Sequence, residues 1–287
     1  MGVGSVRAMS EPLVSQRSPR HTQLVSRVPQ IIALFWVIKV LSTGMGEATS
    51  DYLVHVMPPP VAVILGAIGF AVALKLQLAQ GRYVAWAYWF AVVMVAVFGT
   101  MVADVLHVGL HVPYAVSTPL FAIVLAVVFV AWYRSEGTLS IHSIFTPRRE
   151  VYYWSTVMAT FALGTAAGDM TAKTLGLGWF ASGVLLTVII AIPAVGYYRF
   201  GLNPIVAFWF AYIVTRPLGA SFADWLGLPP HLGGIGLGRG TVALGGAIMI
   251  AVLVAYLAVT KIDVPDRLAR GTEEPRPGPS RPVLEDA

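Results

Sequence analysis

The sequence predicts an all-α polytopic membrane protein, eight transmembrane helices built from four parallel two-helix repeats. Three observations carry that expectation. The 287 residues are 57% hydrophobic and only 11% charged, and the mean hydropathy is +0.74; a soluble domain carries roughly 25% charged residues to cover its surface. The apolar residues fall into eight long runs. The basic residues fall between the runs rather than in a patch, so the net charge of +5 points to a membrane and not to a nucleic acid. There is no cysteine, which excludes disulfides, thiolate metal sites and cysteine nucleophiles.

A helix needs about 20 mainly apolar residues to cross the hydrocarbon core. The runs that qualify are 30–53, 60–79, 83–106, 114–133, 151–172, 178–198, 204–226 and 240–260. They are too long and too uniformly apolar for the alternating strands of an outer-membrane barrel. Residues 1–27 carry Arg7, Arg17, Arg20 and Arg27 without an apolar centre, so a cytoplasmic tail is expected there rather than a cleavable leader. Residues 262–287, rich in proline and acid, read as a disordered cytoplasmic tail. Between the tails the expected repeats are 28–84, 85–148, 149–203 and 204–261.

Basic residues set the orientation. The N-terminal tail, Lys75 and Arg82, Arg134, Arg148 and Arg149, Arg199, and the tail from Lys261 all fall on one side, whereas the other receives only Lys173 and Arg239. Both termini are therefore expected in the cytoplasm, with the chain a multi-pass membrane protein.

The repeat is visible residue by residue. Trp36 is followed ten residues later by Gly46 and fifteen later by Asp51; the spacing recurs at Trp89, Gly99, Asp104, at Trp154, Gly164, Asp169 and at Trp209, Gly219, Asp224. An aromatic residue precedes each tryptophan: Phe35, Tyr88, Tyr153 and Phe208. Each unit is an odd helix with this signature followed by a plain apolar even helix. Four units in one orientation are related by an axis along the membrane normal. The odd helices are then expected to surround that axis, with the glycines admitting close helix approach.

The segments FWVIKVLSTGMGEATSD, YWFAVVMVAVFGTMVAD, YWSTVMATFALGTAAGD and FWFAYIVTRPLGASFAD resemble a family of bacterial membrane proteins built from four tandem copies of a repeat of unknown function. In that family each copy has two transmembrane segments and a characteristic tryptophan. The resemblance covers about residues 28–260. It implies the architecture and supplies no activity, substrate or site residues.

Function must then be read from the charges. Ionisable residues inside a span cost about 2.5–3.5 kcal/mol each on insertion scales and are functional candidates by default. Seven are expected in spans, all on odd helices: Lys39, Glu47, Asp51, Asp104, Asp169, Arg216 and Asp224. Lys39, Thr43, Glu47, Asp51 and His55 follow one another at i+4 and form one stripe. Thr100 with Asp104, and Thr165 with Asp169, repeat the Glu47 and Asp51 relation. On the fourth odd helix the stripe is Tyr212, Arg216, Ala220, Asp224, with Pro217 expected to kink it. Five carboxylates against Lys39 and Arg216 leave a negative interior that a cavity must hydrate, a proton neutralise or a bound cation balance.

These features predict a secondary transporter or exporter of a small cation, a divalent metal foremost. Glu47, Asp51, Asp104, Asp169 and Asp224 would bind it, with Thr43, Thr100 and Thr165 as neutral oxygens and Lys39 and Arg216 balancing charge. His55, His107 and His111 are additional metal-ligand candidates by type and spacing. No cofactor is expected beyond a bound divalent cation. The expected partners are the lipid bilayer and the cation. The alternatives are a proton-coupled carrier of a small organic solute, in which Arg216 grips a substrate carboxylate, and a membrane scaffold or sensor. Gly234, Gly236, Gly238 and Gly240 imitate a phosphate loop without the strand or lysine such a loop needs, so a flexible external loop is expected. No HExxH or GxSxG is present, and an enzyme is not expected.

Overall fold

The computed structural model describes residues 26–264; the two expected tails lie almost wholly outside the described residues. Eight long α-helices follow in order: α1 Ala33–Val56, α2 Pro59–Ala79, α3 Ala85–Asp104, α4 Tyr114–Glu136, α5 Pro147–Asp169, α6 Trp179–Phe200, α7 Pro204–Gly227 and α8 Arg239–Thr260. Among the described residues there is no strand. Helix starts are marked in the sequence. Pro59, Pro147 and Pro204 occupy first-turn positions, where a missing N–H costs nothing, and Thr146 Oγ1 and Asn203 Oδ1 cap α5 and α7 by accepting from Arg149 N and Ile205 N. Gly137 and Gly201 end α4 and α6 in the left-handed conformation.

Six of the eight, α2, α3, α4, α6, α7 and α8, are long and apolar enough to cross a membrane. The other two are as long but more charged: α1 carries Lys39, Glu47 and Asp51, and α5 carries Arg148, Arg149, Glu150 and Asp169. Both are flanked by other helices, α1 by α3, α7 and α8 and α5 by α3, α4 and α7, and Lys39, Glu47, Glu150 and Asp169 are buried among them.

The odd helices close a ring, and the signature glycines form its joints. A Cβ on Gly46 of α1 would lie 2.4 Å from Ala96 Cβ of α3, and one on Gly99 of α3 would lie 2.6 Å from Phe161 Cβ of α5. From Gly164 of α5 it would lie 2.4 Å from Arg216 Cγ of α7, and from Gly219 of α7 it would lie 2.0 Å from Thr43 Oγ1 of α1. Each odd helix thus meets the next through a position that tolerates no side chain. The aromatic residues repeat this order one level away. Phe35 packs on Trp89 (5.5 Å between ring centroids), Tyr88 on Trp154 (5.6 Å), Tyr153 on Trp209 (6.2 Å) and Phe208 on Trp36 (5.7 Å). Two closed four-membered cycles with one sense of rotation establish the parallel repeat.

The even helices stand outside. Each packs on the next odd helix, α2 on α3, α4 on α5, α6 on α7 and α8 on α1. Their outer faces expose Ile64, Ile68, Ile123, Val127, Val188, Ile192, Leu244 and Val252, the surface that lipid would cover.

The face where the described chain begins and ends is stitched shut. Tyr83 N donates to Ser26 O (2.9 Å), Arg27 N to Ile144 O (3.0 Å) and Gln30 N to Asp263 O (2.9 Å), while the Tyr83 hydroxyl donates to the Asp263 carboxylate. Arg27, expected in a free tail, instead pairs with the fully buried Glu150 at 2.5 Å, and Gln77 Nε2 donates to the second oxygen of that carboxylate at 2.9 Å. Burial pushes the Asp263 carboxyl above its usual range, against the pull of the Tyr83 hydrogen bond.

Gly46→Ala forces a methyl into the Ala96 backbone, whose carbonyl carbon lies 2.8 Å from the ideal Cβ. The expected loss is about 1–3 kcal/mol, as for other over-packed contacts, read as a lower unfolding temperature in detergent. Gly245→Ala, with nothing within 4 Å of its ideal Cβ, is the control and should leave stability unchanged or slightly raised.

Candidate functional site

Parallel odd helices at one register stack equivalent residues into layers around the axis. Fifteen residues after each signature tryptophan come Asp51, Asp104, Asp169 and Asp224; eleven after come Glu47, Thr100, Thr165 and Ala220; seven after come Thr43, Ala96, Phe161 and Arg216. The aspartate layer and Glu47 line one cavity of about 910 Å³, bordered by the loops of the face opposite the termini. All five acidic residues picked out by the sequence therefore converge. α3 and α5 each pass into a single π-helical turn straight after their aspartate, at Val105–Gly109 and Met170–Thr174, a distortion often found beside functional sites.

Beneath the cavity, behind Glu47 of its wall, lies a guanidinium. Arg216 is fully buried; its Nη2 donates to Glu47 Oε2 at 2.5 Å, to Thr165 Oγ1 at 2.7 Å and to Thr100 Oγ1, and its Nη1 donates to Thr43 O at 3.2 Å. One repeat supplies the cation and the other three supply its oxygens. The small Ala220 leaves the fourth place in that layer open, and Gly164 lets the arginine stem pass. The Thr100 and Thr165 hydroxyls expected as neutral oxygens for a substrate thus serve this internal cation, the Thr43 hydroxyl donates to Val40 O and Thr215 O, and none of the three lines the cavity. Arg216 offers no accessible face to a substrate carboxylate.

Lys39 lies one turn beyond Thr43, away from the cavity. Expected to balance the charge of the carboxylates, it pairs with none of them among the described residues; its Nζ sits 4.0 Å from the ring centroid of Phe161 and 4.2 Å from that of Tyr212, with no hydrogen-bond partner among the described residues. Beyond it the buried rings of Phe35, Tyr88, Tyr153 and Tyr212 fill the axis, and the Tyr88 and Tyr153 hydroxyls bond each other. Pro217 stays inside a continuous α7, and its ring packs against Gly164 and Gly168.

Two cations that sequence reasoning placed outside the site belong to it. Arg239 Nε meets Asp51 Oδ2 at 2.8 Å and its Nη1 meets His55 Nε2 at 2.9 Å. Lys173 Nζ meets Asp169 Oδ2 at 2.9 Å and Tyr114 Oη at 3.2 Å. Burial works against the Lys173 ammonium, but Asp169 and then Tyr114 outweigh it and hold the group above its usual range. Asp169 and Lys173 are four residues apart, so that pair was visible as a surface contact; Arg239 is remote in sequence and left no local signal. Tyr114 and Trp179, also on the cavity wall, were missed because a lone aromatic in an apolar run has no distinguishing pattern.

Three cations then answer three carboxylates, and Asp104 and Asp224 remain without an ion-pair partner among the described residues. Asp224 is 7% exposed and turned into the cavity. The histidines do not assemble. His55 is tied to Arg239 and to Asp51 O, His107 Nδ1 to Val112 O while its ring packs at a tilt on Tyr114 with 4.0 Å between centroids, and His111 stands exposed in a left-handed conformation. Among the described residues no three His, Asp or Glu side chains form a group that could hold a metal ion. The glycine-rich loop is pinned, Ile235 N donating to Trp225 O at 2.8 Å and Gly236 N to Leu228 O at 2.9 Å.

The family model described as Repeat of Unknown Function (DUF347) matches residues 34–83, 87–138, 152–202 and 207–263. The chain belongs to this repeat family. No curated protein and no solved structure matches it. Each matched DUF347 copy holds one odd and one even helix and gives the cavity one aspartate, and the first copy adds Glu47.

Breaking the buried pair strands a charge. Glu47→Gln and Arg216→Met are each expected to cost about 3–5 kcal/mol, whereas the double variant should lose clearly less than the sum, a coupling readable from a double-mutant cycle of denaturant unfolding in micelles.

Proposed function

We propose that the chain is a secondary transporter of a small cation, spanning a bacterial inner membrane eight times with both termini in the cytoplasm. The observation that supports it above others is the cavity at the axis of the four repeats, where two carboxylates, Asp104 and Asp224, have no ion-pair partner among the described residues. An unanswered carboxylate in a low-dielectric site is costly unless water, a proton or a positive substrate completes it, and a positive substrate is the completion this reading takes. The basic residues favour the face carrying the termini, in keeping with that face lying in the cytoplasm. The cavity then opens outward and ends on Arg216 and the aromatic layer, as in a carrier between cycles rather than an open pore.

No ATPase motif occurs in the sequence, so the driving force would be an ion gradient or the membrane potential. A divalent metal is the narrower form of this reading, since carboxylates suit hard cations.

The test is growth of a deletion strain across metals, organic cations and pH, followed by flux of the cation so identified into proteoliposomes. Asp104→Asn and Asp224→Asn should each reduce flux at least tenfold without lowering the unfolding temperature, because neither carboxylate has an ion-pair partner to lose. Wild-type flux in both variants would overturn the proposal.

A further inference from the structure

We propose that the cavity binds an organic diammonium ion, its two cationic ends answered by Asp104 and Asp224 and its alkyl body by the apolar wall. The inference names a ligand class for the site of the preceding proposal, but it concerns binding and stands without any flux.

Size is the first argument. A cavity of about 910 Å³ lies within the roughly 300–1,000 Å³ of small-molecule sites and far exceeds the space of one ion. Composition is the second. Val54, Val63, Met101, Val105 and Leu228 line the cavity beside the carboxylates; a hydrated metal ion gains nothing from such a wall, whereas a methylene chain is desolvated by it.

The third argument is that the chain already displays this recognition. Lys173 is a primary alkylammonium, and its Nζ is met by the Asp169 carboxylate at 2.9 Å, by the Tyr114 hydroxyl at 3.2 Å, and by the rings of Trp179 and Tyr114 at 5.2 and 5.4 Å from their centroids. Carboxylate, hydroxyl and aromatic face are the groups that recognise organic ammonium ions. Arg239 on Asp51 and Arg216 on Glu47 are likewise tethered organic cations on cavity carboxylates. The acids without one, Asp104 and Asp224, come from the second and fourth repeats, which face each other across the ring. Asp224 is nine-tenths buried, has no ion-pair partner among the described residues and lines the cavity.

The test is calorimetric titration of the purified full-length protein in detergent micelles. 1,4-Diaminobutane should bind saturably, at least tenfold tighter than n-butylammonium, and Asp224→Asn and Asp104→Asn should each weaken it at least tenfold. Asp104 is half-buried, so its variant carries the test should Asp224→Asn fail to fold. No saturable binding of the diamine, equal affinity for the monoamine, or tighter binding of Mn²⁺ than of the diamine would each overturn the inference. The last result would leave the preceding proposal standing.

Discussion

A guanidinium at mid-depth in an apolar bundle dictates the rest of this molecule. Left alone there it would be expensive, and its own helix has nothing to offer it, since the residue one turn on is Ala220. Its hydrogen bonds run to Glu47 and Thr43 on α1, Thr100 on α3 and Thr165 on α5. The interaction therefore cannot form until all four repeats are in register around one axis. Gly164 is part of the same requirement, because a methyl there would occupy the path of the arginine stem. A charged residue that would destabilise a single helix becomes the tie that specifies how four helices assemble.

The ring was legible because it is repetitive. A tryptophan, glycine and aspartate at fixed spacing on parallel helices must fall in three layers, and the glycine and aspartate layers appear as the helix joints and the cavity wall. What the repeat could not reveal is where it is broken. Lys39 and Glu47 are eight residues apart, about 12 Å of rise along a helix, and the lysine turns instead to Phe161 and Tyr212, contacts that depend on α5 and α7 being in place. Arg239 reaches Asp51 from the far end of the chain. Glu150 sits at the edge of its run, where an acid is ordinarily hydrated; its burial becomes evident only once residues 26–32 are seen packed across the terminal face. α1 and α5 are the helices least like spans by hydropathy because they carry more charges than any of the other six, Lys39, Glu47 and Asp51 on α1 and Arg148, Arg149, Glu150 and Asp169 on α5.

Symmetry and its violation divide the labour along the axis. The layer nearest the far-face loops keeps all four aspartates. The next substitutes threonine twice and alanine once, making room for one guanidinium. The layer after that holds Thr43, Ala96, Phe161 and Arg216, no two alike. Charge is thus uniform where solvent can reach it and individual where it cannot, as the rising cost of an unpaired ion with depth requires.

On the transport reading, a solute leaving the cavity toward the terminal face must pass the Arg216 and Glu47 pair, then Lys39, then the ring of Phe35, Tyr88, Tyr153 and Tyr212. The glycine joints leave no slack between the odd helices at that depth, since the built Cβ distances of 2.0–2.6 Å show backbones already as close as they can come. Rocking of whole repeats would have to open four such joints together. Moving one guanidinium requires breaking its bonds to Glu47, Thr43, Thr100 and Thr165 only, and an arriving cation would supply the charge that Glu47 loses. On that reading, exchange of one cation for another on Glu47 would couple occupancy of the cavity to release of the Arg216 guanidinium beneath it.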